Sequence, residues 1–209
     1  MAAQLNLSSL PAWAFEKEDA GDDADFYAFA RLVTHIDEGA IAALTAFYRR
    51  ELPAGGAVLD LMSSWVSHLP DDVAYAEVIG HGMNAEELAA NPRLSRRFVQ
   101  DLNRDPALPL RPTSVDGAMI CVAIQYLQRP VEALSSVRSV LKPGAPLIVS
   151  FSNRCFPTKA VAVWRALDDG GHAALVAAYL EAAGFAHVTP HLLADGRTSD
   201  PLIAVVGRA

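Results

Sequence analysis

The chain has 209 residues, 52% of them hydrophobic and 20% charged, with a net charge of −7 at neutral pH. That length supports one sizeable core. The acidic balance argues against a general nucleic-acid binder, which needs a basic surface for phosphates. Residues Met1–Leu10 lack a basic segment followed by an apolar one, and no apolar run approaches the roughly 20 residues that span a bilayer. A cytoplasmic protein without membrane contact is expected.

Residues 1–37 read as an N-terminal arm or lid, and 38–209 as the core of a single domain. Within 1–25, Pro11, Gly21 and the acids Glu16, Glu18, Asp19, Asp22, Asp23 and Asp25 oppose regular packing. Trp13 and Phe15 either touch the body or sit incidentally in a solvated tail. Asp37 can cap a helix reaching Leu52, with Ile41, Leu44, Phe47 and Tyr48 on its apolar face. Strands are expected at Ala57–Leu61, Ala76–Gly80, Phe98–Val99, Gly117–Val122 and Leu147–Phe151. A helix capped by Asn84 starts near Ala85, and another covers Val131–Leu141. Two further helices, Thr158–Leu167 and His172–Ala183, are expected on either side of Gly170-Gly171. Gly184 ends the second of these in a left-handed cap. His187–Leu193 and Leu202–Val206 then form a strand pair without an intervening helix. Alternating strands and helices imply a three-layer α/β fold, mostly parallel, with an antiparallel last strand.

Cys121 and Cys155 stand outside any CxxC or CxxH spacing and read as small hydrophobes near strand ends. His68 and His81 have no third ligand at a recognisable spacing, so no metal site is expected.

Several segments carry a family resemblance. Val115-Asp116-Gly117-Ala118-Met119-Ile120 leads to Gln125-Tyr126-Leu127, then a helix, then Val140-Leu141-Lys142-Pro143-Gly144. Leu180-Glu181-Ala182-Ala183-Gly184-Phe185 follows later. This order resembles the class I S-adenosylmethionine-dependent methyltransferases over about Glu38–Arg208, with "FDxV", "RxLKPGG" and "LxxAGF" as the family patterns. Ala145 stands where the second glycine of the turn is usual. Asp60–Pro70, Gly80–Asn84, Asp101–Asn103, Gln125–Leu127 and Ser150–Arg154 also resemble the strings "DLMSSWVSHLP", "GHGMN", "DLN", "QYL" and "SFSNR" of a methyltransferase-like sub-group. The resemblance implies a Rossmann-like seven-stranded sheet, S-adenosylmethionine as cofactor and a methyl acceptor.

In open α/β sheets, ligands bind beyond the carboxyl ends of the strands, where the quoted loops fall. The family's acid-x-Gly-x-Gly-x-Gly aligns Asp60 with the acid and Met62, Ser64 and Val66 with the glycines. Asp60 is then implied to take the ligand's ammonium, while Ser63 and Ser64 donate hydrogen bonds. Gly82 stands where an acid usually holds the ribose, with Met83 beside it and Asn84 able to offer an amide. Asp101 matches the acid for the adenine amino group, with Leu102 over the ring. Val122 ends the fourth strand at the same site. For the acceptor, His35 is the candidate base, oriented by an Asp37 that can equally cap the helix; a packing role for His35 is the competing reading. Gln125 is the second catalytic candidate. Tyr27, Tyr126, Asn153 and Arg154 are candidate contacts to a small-molecule substrate, with Lys159 assisting and Phe29 adding to an aromatic wall. The alternative is a non-catalytic binding module on the same fold, its cofactor space filled by Met62 or Trp65. A dinucleotide oxidoreductase would need G-x-G-x-x-G, and Leu61–His68 contains no glycine. The oligomeric state is left open by the sequence.

Overall fold

The computed structural model describes residues 5–209; Met1–Gln4 of the arm lie outside the described residues. Seven strands form one sheet: β1 (Ala57–Leu61), β2 (Glu77–Gly82), β3 (Arg96–Val99), β4 (Gly117–Cys121), β5 (Pro146–Phe151), β6 (Ala186–Ala194) and β7 (Leu202–Arg208). Their order is β3-β2-β1-β4-β5-β7-β6. The first five run parallel; β7 pairs antiparallel with both β5 and β6. Strands β2 and β3 are added on one side of β1 and β4 and β5 on the other, so the crevice at this switch point lies beyond the tips of β1, β2 and β4.

The helices are α1 (Asp23–Phe26), α2 (Glu38–Glu51), α3 (Ala85–Ala90), α4 (Pro130–Val140), α5 (Ala162–Arg165) and α6 (Asp169–Ala182). Side chains alternate across each strand, and this divides the core in two. Val58, Met119 and Ile148 face α2 and pack with its Leu44, Phe47 and Tyr48. Leu59, Leu61, Ala118, Ile120, Leu147 and Val149 face the opposite way, toward Leu134 and Val137 of α4 and Leu175 and Val176 of α6. Asp60, between Leu59 and Leu61, therefore points to the α2 side.

The Asp116 and Lys142 of the motif segments have a structural role. Asp116 Oδ2 accepts from the Ala57 amide at 3.0 Å and Oδ1 pairs with Lys142 Nζ at 2.6 Å, joining the starts of β1 and β4 to the turn before β5. Gly144 in that turn has φ +78°. Gly184 has φ +87°, as a left-handed cap requires.

Two expectations are corrected. Gly170 and Gly171 do not separate two helices but lie in the first turn of α6. Asp168 caps that turn by accepting from the Gly171 amide at 2.8 Å, and a capped first turn tolerates glycine. The expected helix Thr158–Leu167 contracts to the single turn of α5, the preceding loop being held by the buried Lys159 paired with Asp19 and Asp23. The arm is docked, not solvated. Lys17 and Val161 form an antiparallel bridge, and the Ala162 amide donates to Glu16 O at 2.9 Å.

Candidate functional site

A cavity of about 750 Å³ opens at the carboxyl ends of β1, β2 and β4, within the range of about 300–1,000 Å³ usual for ligand pockets. One side is formed by the loops after β1, β2 and β3, the other by those after β4 and β5, and the roof by residues of the arm. Asp60, Met62, Ser63, Ser64, Gly82, Met83, Asn84, Asp101, Leu102 and Val122 all line it, as do His35, Tyr27, Tyr126, Asn153 and Arg154. Asp60 of β1 and Asp101 after β3 both border this cavity.

Asp60 sits at the base of the β1 loop, 3% exposed. Its Oδ2 accepts from the hydroxyls of Ser63 and Ser67, each at 2.6 Å. Burial raises its carboxyl to about 7, against the pull of those two hydroxyls. Met62 occupies the first of the glycine-aligned positions with φ +56°, so the backbone keeps the left-handed turn that a glycine would make. Such a φ costs a non-glycine residue about 1–3 kcal/mol. Val122, the residue after β4, has φ +43°, a strained conformation for a β-branched residue.

His81 holds this geometry. Its Nδ1 accepts from the Met62 amide at 3.1 Å and its Nε2 donates to Gln100 O at 3.0 Å, so the ring ties the β1 loop to the end of β3. Acceptance at Nδ1 requires a neutral imidazole, and burial lowers the ring to about 4 despite the Gln100 carbonyl. Gly82 is sterically required: a Cβ there would lie 2.5 Å from Ser63 O.

The roof is pinned at four points. Asn84 donates to Tyr27 O at 2.9 Å and Ala28 O at 3.2 Å while its Oδ1 caps α3. Glu87 accepts from the Arg31 amide at 2.7 Å and from Ser64 Oγ at 2.6 Å. The Trp65 indole donates to Val33 O at 3.0 Å. The Asn84 amide is thus committed to the roof and the cap. Glu87 is one of two acids in the first turn of α3, after the Asn84 cap, and that position alone gives no sign of a place in the cavity. Its carboxylate turns toward the cavity and the lid.

Gln125 is corrected: it does not line the cavity. It is 1% exposed, on a single 3₁₀ turn, and its Nε2 donates to the carbonyl of strained Val122 at 2.8 Å. Lys159 is also outside the cavity, 1% exposed, with Nζ 3.1 Å from Asp19 Oδ2 and 3.3 Å from Asp23 Oδ1. It fastens the arm. Phe29 is 80% exposed and forms no wall. Phe156 does, stacked on Tyr126 at a centroid distance of 5.9 Å.

Asp37 caps α2, accepting from the Ala40 amide at 2.9 Å. It does not orient His35, whose ring meets Phe156 edge-on at 5.5 Å. Burial lowers His35, opposed by Glu87 and helped by Arg31. Burial and the neighbouring His35 lower His68 to about 4. Arg154 reaches Asp200 Oδ1 through Nη2 at 2.7 Å and Nε at 2.9 Å. Among the described residues no group of three or more potential ligands could hold a metal ion, and no helix is long and apolar enough to cross a membrane.

Residues 62–149 match the family model described as a methyltransferase domain. Among solved structures, the chain is similar to an S-adenosylmethionine-dependent methyltransferase from Mesorhizobium loti, at 18% identity and a TM-score of 0.55, covering 80% of this chain and 98% of that one. A methyltransferase from Aquifex aeolicus is 16% identical with a TM-score of 0.59, covering 81% and 90%. Phosphoethanolamine N-methyltransferase 2 from Haemonchus contortus, solved with S-adenosyl-L-methionine, is 12% identical with a TM-score of 0.57, covering 80% and 52%. No curated protein matches the sequence. The methyltransferase-domain match covers residues 62–149, and the likeness to these solved structures extends their fold to the whole seven-stranded sheet.

Proposed function

We propose that this cavity transfers a methyl group from S-adenosylmethionine to a small-molecule acceptor. The observation that supports it most is the open volume between Asp60 and Asp101, with Met62 and Trp65 in its walls instead of its centre. A non-catalytic module would have those side chains filling the space. The residues present fit the cofactor's chemistry. Asp60 offers a buried carboxylate to an ammonium, Ser63 and Ser64 offer hydroxyls, Asp101 accepts from an adenine amino group, and Leu102 lies beside it. Bound there, S-adenosylmethionine supplies an electrophilic methyl on a good leaving group. The protein's work is then alignment and exclusion of water. The roof residues Val33, Thr34, His35 and Ile36 close the outer half, and a neutral His35 is placed to take a proton from an acceptor that must lose one.

Isothermal calorimetry with S-adenosylmethionine and S-adenosylhomocysteine tests the reading directly: both bind, and absence of heat with either at millimolar ligand rules it out. The state of Asp60 adds a pH signature. With a carboxyl near 7, about a tenth is ionised at pH 6 and about nine-tenths at pH 8. S-adenosylhomocysteine, which carries an ammonium, should bind roughly tenfold more tightly at pH 8 than at pH 6. Methylthioadenosine, which lacks it, should show no such change. Asp101→Asn keeps an acceptor for the Asn103 amide, now bonded at 2.8 Å. It should weaken both ligands roughly tenfold while unfolding as the parent does.

A further inference from the structure

Within the methyltransferase reading, we propose that the acceptor is an amine on an aromatic body, bound in the outer half of the cavity among Tyr27, Tyr126 and Phe156. Tyr27 belongs to the roof and Tyr126 and Phe156 to the loops after β4 and β5, and all three line the cavity. A flat apolar body can stack there, and ring faces attract cations.

Two of these rings, Tyr27 and Phe156, already lie beside a cation, together with Phe26, which is outside the cavity lining. The Arg31 guanidinium lies 4.6 Å from the Phe26 ring centroid, 5.6 Å from Phe156 and 6.0 Å from Tyr27. Its hydrogen bonds go to the carbonyls of Phe26 and Phe29. The field has the same sign. Six carboxylates line the cavity against two arginines. Asp23, Asp101 and Asp200 are answered by Lys17, Arg104 and Arg154. Asp37 and Glu87 are held only by amides and a hydroxyl, and among the described residues neither has an ion pair. A cavity with surplus negative charge favours a cation and disfavours a carboxylate or phosphate. Arg154, half of an ion pair with Asp200, does not reverse that preference.

The chemistry closes. An ammonium entering this space gives one proton to the neutral imidazole of His35, which lines the cavity and whose charged form the Glu87 carboxylate favours. The freed nitrogen lone pair forms the N–CH₃ bond as the S–CH₃ bond breaks, and that bond's electron pair returns to sulfur. The products are a methylated ammonium, a thioether and an imidazolium.

The test uses the full chain saturated with S-adenosylhomocysteine, titrated in the calorimeter at pH 7.5 with benzylamine, benzyl alcohol and benzoate. Saturation is measured first, so failure of the cofactor site is recognised separately and removes both readings. The expected order is benzylamine tightest by roughly tenfold over the alcohol, with benzoate weakest. Phe156→Leu should weaken benzylamine severalfold and leave S-adenosylhomocysteine unchanged. Equal binding of the three probes, tighter benzoate, or no probe binding to the saturated protein overturns the inference.

Discussion

Replacing Asp60 with Asn should make the protein more stable at pH 8 and unable to bind S-adenosylmethionine usefully. The carboxyl is 3% exposed and burial raises it to about 7, from an ordinary value of 3.8. Because the folded value lies above the unfolded one, the group's favourable contribution is complete below about pH 4. It is lost as pH rises toward 7, and above that the fold carries a buried ionised carboxylate. A rise of this size corresponds to at most about 4 kcal/mol; with partial relaxation, roughly 2–4 kcal/mol is expected. Asn removes the ionisation but keeps a carbonyl oxygen for the Ser63 and Ser67 hydroxyls. Denaturant unfolding of the two proteins should coincide near pH 4 and separate progressively up to pH 8, the variant being the more stable. Calorimetry should show affinity for S-adenosylhomocysteine reduced about 100-fold, because the ammonium loses a charged partner. Equal stability at pH 8 with retained binding would mean that Asp60 serves neither role.

That trade explains why the site departs from the family's glycine pattern without closing. The loop after β1 needs a left-handed turn, and Met62 supplies it at φ +56°. What compensates is the partner of its amide. The His81 ring accepts that N–H from the adjacent strand, so the strain is offset by a contact that the β1 sequence alone does not contain.

The strands were legible because most are buried on both faces and bounded by Gly, Pro or Asn. Asp60 could be placed at a strand tip for the same reason, whereas Asp101 follows β3, which is exposed along most of its length, and was placed by the family resemblance. Other features depended on distant partners. Lys159 looks like a loop cation in sequence; its Asp19 and Asp23 partners stand some 140 residues earlier. Asn84 reads correctly as a cap, but its second task, holding the backbone of Tyr27 and Ala28, depends on where the arm folds. Gln125 follows a strand pointing at the cavity. The 3₁₀ turn over Ile124–Tyr126 rotates Tyr126 into the wall and Gln125 beneath it, and no periodicity in three residues signals which.

His81 carries the other large effect. Replacement by Phe keeps an aromatic ring beside Phe98, now 5.2 Å away between centroids, so little cavity is created. It removes both hydrogen bonds, leaving the Met62 amide and the Gln100 carbonyl without their partner at the ends of β1 and β3. Each unmade buried bond costs about 1–3 kcal/mol, so a loss of roughly 2–5 kcal/mol in unfolding free energy is expected. The Met62 turn then keeps only the neighbouring main-chain bond from the Ser63 amide to His81 O, and affinity for S-adenosylhomocysteine should fall about 100-fold, more than global destabilisation alone would produce in a protein still folded. His81→Gln separates the two effects, since an amide can donate to Gln100 O or accept from Met62 but lacks the rigid spacing of a ring. It should recover part of the stability and little of the affinity. Full affinity in folded His81→Phe would show that the β1 loop keeps its shape without the ring. The strain at Met62 would then have to be balanced by packing and that main-chain bond.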